Sequence, residues 1–436
     1  MSLTSIVAMN ILKEVLRNEV YPALGCTEPV AVAFCSATAA KLLGARQIDA
    51  LEVVLDPGTY KNGFGVPLPN TKNEKGNLIA AALGALAAKP GLKYNIFSNL
   101  KPEAIKAAKE FIRSGKVRMS IDYTRREIFI ETRAKSGKNV SVCSISGGHF
   151  NITFMALNGK IIKTGGAEKK KDQSYKEFLK ALKISDLLEI ADSASKKELD
   201  YIEKGIKMNL KASKKGLKLK KAGFYIKDLI KSGYLKKDIL STAKMITSSA
   251  TDARMAGLPN PVMSSGQSGN QGVIAILVPY LVGKYFRTPR ERMLKSVALS
   301  HLINSYIKVF LGEVSPICGC AVSAGVGASA AIVYQRKGKD LEAINAAVNN
   351  LISDIGGMLC DGAKSGCALK VASSSDSSIR SAYMAIKGHG IGEDEGFIGR
   401  TAEETIRNLA RITTTGMSGI DSIIIDTMIN KQKTGY

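Results

Sequence analysis

From residue 239 onwards the chain offers almost nothing but helix. Eight stretches (239–256, 271–285, 289–311, 322–334, 341–360, 377–386, 402–413 and 416–430) carry helical spacing, and many are rich in alanine and glycine on more than one face. A helix with one apolar stripe can lie on a surface, but one that is small and apolar all round has to be enclosed by others. That restricts this half to a helical bundle. The first half reads differently. Helical segments at 5–24, 29–43, 75–88 and 102–114 accompany stretches of strand character at 48–55, 117–123, 127–133, 139–144 and 151–157. The last four follow one another like antiparallel strands, broken by Gly147, Gly148 and His149. The fold class expected is α+β. An N-terminal mixed domain with an antiparallel sheet (1–165) leads into a lysine-rich helical insertion or linker (166–237) and an all-α C-terminal domain (238–436).

The formal net charge of +24 first points to nucleic acid. Its lysines, however, concentrate between residues 160 and 237, in runs such as EKKKDQ (168–173) and LKASKKGLKLKK (210–221), with almost no arginine and few aromatics. Such a surface is a poor nucleic-acid reader, and a solvated face is the simpler account. The longest apolar run, 273–283, falls far short of the roughly 20 residues that span a bilayer. The N-terminal MSLTSIVAMNILKEVL carries charge inside its apolar stretch, unlike a signal peptide. Seven cysteines, an odd number, argue against a secreted disulfide framework. The expectation is a cytoplasmic protein without nucleic-acid or membrane partners, whose small-residue helices suit a homodimer.

Four places could carry chemistry. In GCTEP (25–29), Thr27 can cap the helix that follows, with Glu28 and Pro29 in its first turn. Cys26 then sits at a helix N-terminus, where the macrodipole favours a thiolate; the alternative is a small buried cysteine in a turn. The loop DPGTYKNGFGVPLPNT (56–71) offers the Asn62 amide at a strand exit, and His149 is either a proton carrier or a structural hairpin residue. SSGQSGNQGVIAILVP (264–279) places Ser268, Gly269, Asn270 and Gln271 at the start of an apolar helix, where free N–H groups bind an anion, most simply a carboxylate. It lacks the lysine of a P-loop and does not follow a strand in a βαβ unit, so a nucleotide motif is disfavoured; a glycine-rich helix-capping turn is the alternative. Finally, Cys318 and Cys320 in SPICGCAVSAGVGASA (315–330) and the later pair Cys360 and Cys367 lie among small residues that let backbone approach a bulky group. An iron–sulfur centre, a zinc site and inert core thiols compete for these four. Their spacing is atypical of zinc, and none of the three histidines, His149, His301 and His389, has metal-like spacing.

Taken in order, GCTEP (25–29), KNGFGV (61–66), SGNQG (268–272), SHL (300–302), CGCAVSAGVGAS (318–329), GMLCDGAKSGCALKV (357–371) and GEDEGFIG (392–399) resemble the L-cysteine desulfidase family, relatives of the iron–sulfur L-serine dehydratases. The resemblance spans nearly the whole chain outside 166–237. It implies a [4Fe–4S] enzyme, independent of pyridoxal phosphate, that converts L-cysteine to hydrogen sulfide, ammonia and pyruvate. It also implies a C-terminal domain that carries the cluster cysteines: Cys360 and Cys367, joined by Cys320 or Cys318, with Cys320 preferred. Cys26 matches the family's proposed proton acceptor, and Asn62 and Ser268 to Gln271 would hold the substrate carboxylate. Serine dehydration at the same iron and a non-catalytic cluster-bearing sensor are the competing readings.

Overall fold

Residues 50–55 alternate sharply, with Leu51, Val53 and Leu55 buried and Glu52 exposed, as a strand with one covered face requires. In the computed structural model, which describes residues 3–433 except 88, 126, 166–168 and 313, this strand lies inside a six-stranded sheet. The spatial order is Val117–Ile121, Ala50–Leu55, Phe129–Ser136, Asn139–Ser146, Ile152–Leu157 and Lys160–Thr164. All neighbours pair antiparallel except the first two, which are parallel. The antiparallel succession expected from the sequence therefore fails at Val117–Ile121. That strand pairs with Ala50–Leu55 rather than with its successor. The chain between them runs through helices, as a parallel connection needs. Lys160–Thr164 is a strand that periodicity missed, since all five of its residues are exposed.

Thr27–Leu43 and Asn77–Ala87 pack beside this sheet in one buried cluster that includes Val30, Phe34, Leu51, Leu55, Leu83 and Ile130. A second, larger cluster fills the helical half, with Val273–Val278, Leu299, Leu302, Val326, Ile332 and Val348 at its heart. Ile11, Leu12, Val15 and Leu16 of the first helix belong to this second cluster. So do Leu179, Leu187, Leu188, Ile202 and Ile206 from the lysine-rich segment. The segment forms the helices Lys169–Ala181, Ile184–Asp192, Lys196–Gly216 and Ala222–Lys231. Its lysines occupy outer faces while its aliphatic residues join the core.

Two departures from the sequence reading bear directly on the site. The stretch 56–71 is not all loop. Asp56 caps a short helix, Pro57–Gly63, by accepting a hydrogen bond from Thr59 N at 2.9 Å, and this helix carries Asn62. In addition, the helix expected at 377–386 begins ten residues earlier and spans Cys367–Ile386. The serines of SSSDSS (373–378) argue against helix locally. Their hydroxyls instead bond carbonyls, with Ser375 donating to Val371 O at 2.9 Å and Ser378 to Ser374 O at 2.6 Å.

Candidate active site

Four helices begin at one cavity. Cys26 is the N-cap of Thr27–Leu43 and Ser268 the N-cap of Gly269–Tyr285, while Ser323 and Cys367 are the first residues of Ser323–Lys337 and Cys367–Ile386. All four residues line the cavity. Asn62, Asn270, Gln271, Cys318, Cys320 and Cys360 line it as well. Four positive helix ends make the cavity suited to anions. Of the ten residues assigned to the site from sequence, only Gly269 is absent from the lining; His149, the other candidate proton carrier, is absent as well. Gly269 lies behind the lining, where a Cβ would come within 2.4 Å of Arg254 Nε.

The cysteines come together through a short piece of pairing. Ile317 and Leu359 form an isolated antiparallel bridge, with Cys318 N donating to Met358 O and Cys360 N to Pro316 O, each at 2.7 Å. This clamps the CxC turn against the strand-like approach to Cys360. Cys367 follows on the helix start, its thiol 3.7 Å from Gly362 O. The Cys320 thiol donates to Cys318, which pulls the Cys318 pKa down; burial opposes that pull, while the Ala321 N–H and the Lys370 charge support it. Burial pushes the Cys360 and Cys367 thiols up. Lys370 bonds Asp361 and Leu359 O beside them, so the thiols share a cationic neighbour. Among the described residues, no three His, Cys, Asp or Glu side chains converge closely enough for a single metal ion.

Beside the thiols lies a polar cluster from the sheet half, with the Cys360 thiol 4.0 Å from Asn62 Oδ1. Cys26 caps its helix without a side-chain cap hydrogen bond; Thr27, expected as the cap, is the first helical residue. The Cys26 thiol instead donates to Glu28 Oε2 at 2.8 Å, and Thr27 Oγ1 donates to the same oxygen at 3.2 Å. Asn62 Nδ2 donates to Glu28 Oε1 at 3.0 Å. The thiolate expected at this helix start is therefore not the resting form. Burial first, and the Glu28 charge second, hold the Cys26 pKa well above the ordinary thiol value. Glu28 itself is held low. Burial would raise it, but the nearby His149 and the Cys26 hydrogen bond outweigh that.

Glu28, Arg254 and Lys308 line the cavity and were not picked out as site residues from sequence. Glu28 looked like an ordinary first-turn acid; only its place two residues after Cys26 hinted at more. Arg254, in the last turn of Ile239–Met255, carried no local signal, yet it is 3% exposed and its Nε has no partner.

The family model of the serine dehydratase alpha chain matches residues 92–426. Hence the chain belongs to the serine dehydratase alpha chain family. Within it, the chain is similar to UPF0597 proteins over nearly its whole length. One from Elusimicrobium minutum is 51% identical, covering 98% of this chain and 100% of the relative. One from Geobacter sulfurreducens is 47% identical over 98% and 100%, and one from Clostridium tetani 40% over 97% and 98%. The family match holds all four lining cysteines of the helical half, whereas Cys26, Glu28 and Asn62 precede it. No helix among the described residues is long and apolar enough to cross a membrane.

Proposed function

We propose that the protein is a [4Fe–4S]-dependent L-cysteine desulfidase that uses no pyridoxal phosphate and converts L-cysteine and water to pyruvate, ammonia and hydrogen sulfide. The observation that carries this reading is the meeting of Cys318, Cys320, Cys360 and Cys367 with the Cys26–Glu28–Asn62 cluster around one cavity. The donor set fits a cluster. It is all thiol and lies in a cavity rimmed by helix N-termini. Cys360 and Cys367 would hold the cluster with Cys320 or Cys318. An iron left without a protein thiolate supplies a Lewis acid for the departing sulfur.

The remaining work falls to the chain. Asn270, Gln271 and the N–H groups following Ser268 bind the substrate carboxylate, whose negative charge grows as the Cα proton leaves. Asn270 Oδ1 and Gln271 Oε1 are buried without partners, acceptors left for the substrate's ammonium group. Cys26 passes its proton to Glu28 across their 2.8 Å hydrogen bond, and the thiolate so formed takes the proton from Cα. Asn62 holds Glu28 in place for this transfer. The Cα–H electron pair becomes the Cα–Cβ double bond while the Cβ–S bond breaks and its electrons leave with sulfur. The aminoacrylate then tautomerises to an imine, which water hydrolyses to pyruvate and ammonia.

The test is anaerobic reconstitution with iron and sulfide analysis, then sulfide release from L-cysteine beside pyruvate formation from L-serine. A protein that retains no iron removes the proposal. Preference for L-serine moves it to the dehydratase reading that the family match favours. A Cys26→Ala variant keeps its iron and loses turnover; loss of iron instead would make Cys26 a ligand.

A further inference from the structure

Arg254 is a buried cation with nothing anionic bound to it. It is 3% exposed and lines the cavity, and no carboxylate among the described residues forms an ion pair with it. Asp252, two residues away on the same helix, turns to Gly223 N at 2.8 Å instead. A guanidinium stays charged in a protein, and an uncompensated buried charge is costly, so such groups are retained where a ligand supplies the counter-charge. Glu28 is near enough for its charge to be felt but not to pair with Arg254.

The surroundings are shaped for this side chain. Gly269, the first residue of its helix, leaves the space that the guanidinium occupies, since a Cβ there would lie 2.4 Å from Nε and 2.8 Å from Cδ. A cationic side chain is thus laid across a helix N-terminus that already favours negative charge. The unpartnered amide oxygens of Asn270 and Gln271 lie on the same turn. Oxygen acceptors beside a cation suit a ligand that brings both charges, a carboxylate for Arg254 and an ammonium for the amide oxygens.

We infer that Arg254, seated on Gly269, is the carboxylate anchor of the site and restricts its ligands to free α-amino acids, excluding their amides and the corresponding amines. The inference rests on the proposed function only for the identity of the amino acid. Arg254 grips the carboxylate at the α-carbon end, in the cavity that the thiols also line.

L-alanine and L-alaninamide test this, because neither has a β-leaving group and neither turns over. Binding of each to the anaerobically reconstituted protein is followed by calorimetry and thermal shift at pH 7. L-Alanine is expected to bind at least about tenfold more tightly than its amide, in keeping with a charged hydrogen bond. Arg254→Gln should abolish that preference and Arg254→Lys retain part of it. Equal binding of the two probes to the unmodified protein, or binding of neither, overturns the inference without relying on any variant to fold. So does an Arg254→Gln protein that keeps the preference. Selective alanine binding without sulfide release would leave the anchor standing and remove the desulfidase reading. Sulfide release without selectivity would do the reverse.

Discussion

Replacing Glu28 by glutamine keeps the volume of the side chain and removes both its charge and its power to take a proton. All three partners of the carboxylate are donors: Cys26 Sγ at 2.8 Å and Thr27 Oγ1 at 3.2 Å on one oxygen, and Asn62 Nδ2 at 3.0 Å on the other. A glutamine has one acceptor atom and one NH2 group, so it can accept from Asn62 only with its NH2 turned to Cys26 and Thr27, where it takes no proton. If the proton of Cys26 goes to Glu28, turnover should fall by about 10²- to 10⁴-fold, the usual contribution of a positioned base and about 3–5 kcal/mol of barrier. Cluster content should not change, since Glu28 touches none of the four clustered cysteines among its hydrogen bonds. A second readout runs the opposite way. Burial is the first cause of the raised Cys26 pKa, but the Glu28 charge and hydrogen bond add to it. Removing them lowers the thiol pKa while leaving it elevated by burial. At a fixed pH below that pKa more thiolate is present, so iodoacetamide should label Cys26 faster, as followed by peptide mass spectrometry. A Glu28→Gln protein that turns over within about threefold of the parent, or whose Cys26 is labelled more slowly, would refute the proton-acceptor role.

Other perturbations test the frame around the site. Lys61 is 1% exposed and its only ion pair among the described residues is Asp421 of the C-terminal helix, at 2.5 Å. Asp421→Ala strands that cation and should cost about 2–3 kcal/mol, less than for a fully buried pair because Asp421 is 18% exposed. The double variant Lys61→Met with Asp421→Leu should recover most of the loss in thermal denaturation, and failure to recover would count against the pairing. His301 is fully buried, and burial pushes its pKa down to about 3. The folded protein therefore keeps the ring neutral while the unfolded chain protonates below about pH 6.5, so stability present above that pH is lost as pH falls towards 3. His301→Gln should flatten the stability–pH curve by about 2.5 kcal/mol between pH 7 and 4.5; an unchanged slope would contradict the assignment. Gly272→Ala would set a Cβ 2.0 Å from Met263 O, and melting should show a loss of about 3 kcal/mol or more.

Much of the architecture was legible from periodicity. The sheet half, the helical half and the small-residue helices of the bundle all declared themselves, because buried faces impose their period on the sequence. The readings that failed were those decided by contacts far away in the chain. Val117–Ile121 has ordinary strand character, and only its partner determines that the pairing is parallel. Residues 373–376 look unhelical because serine and aspartate compete for backbone hydrogen bonds, yet the turn before Ser323–Lys337 supplies partners such as Ala321 O for Ser374 at 2.8 Å. The aliphatic residues of the lysine-rich segment were hidden by the charge around them.

The same division holds at the site. Cysteine and glycine spacing was enough to choose ten residues, nine of which line a single cavity. That information is local: each sits at a turn or helix start whose signature is a few residues long. The protonation of Cys26 was not local, and the expectation of a thiolate from the helix dipole was reversed. Burial and a carboxylate at 2.8 Å outweigh a half-charge at a helix end. Arg254 was invisible for the same reason. An arginine in the last turn of a helix is commonplace in sequence, and only the tertiary fold, by burying it over Gly269 with no acid to meet it, gives it a ligand to wait for. The sequence by itself determined which residues stand at helix starts and which segments are buried, since those follow from neighbours a few positions apart. The tertiary structure alone decided which charges are compensated and which are left open, because that depends on what the fold brings within a few ångströms from hundreds of residues away.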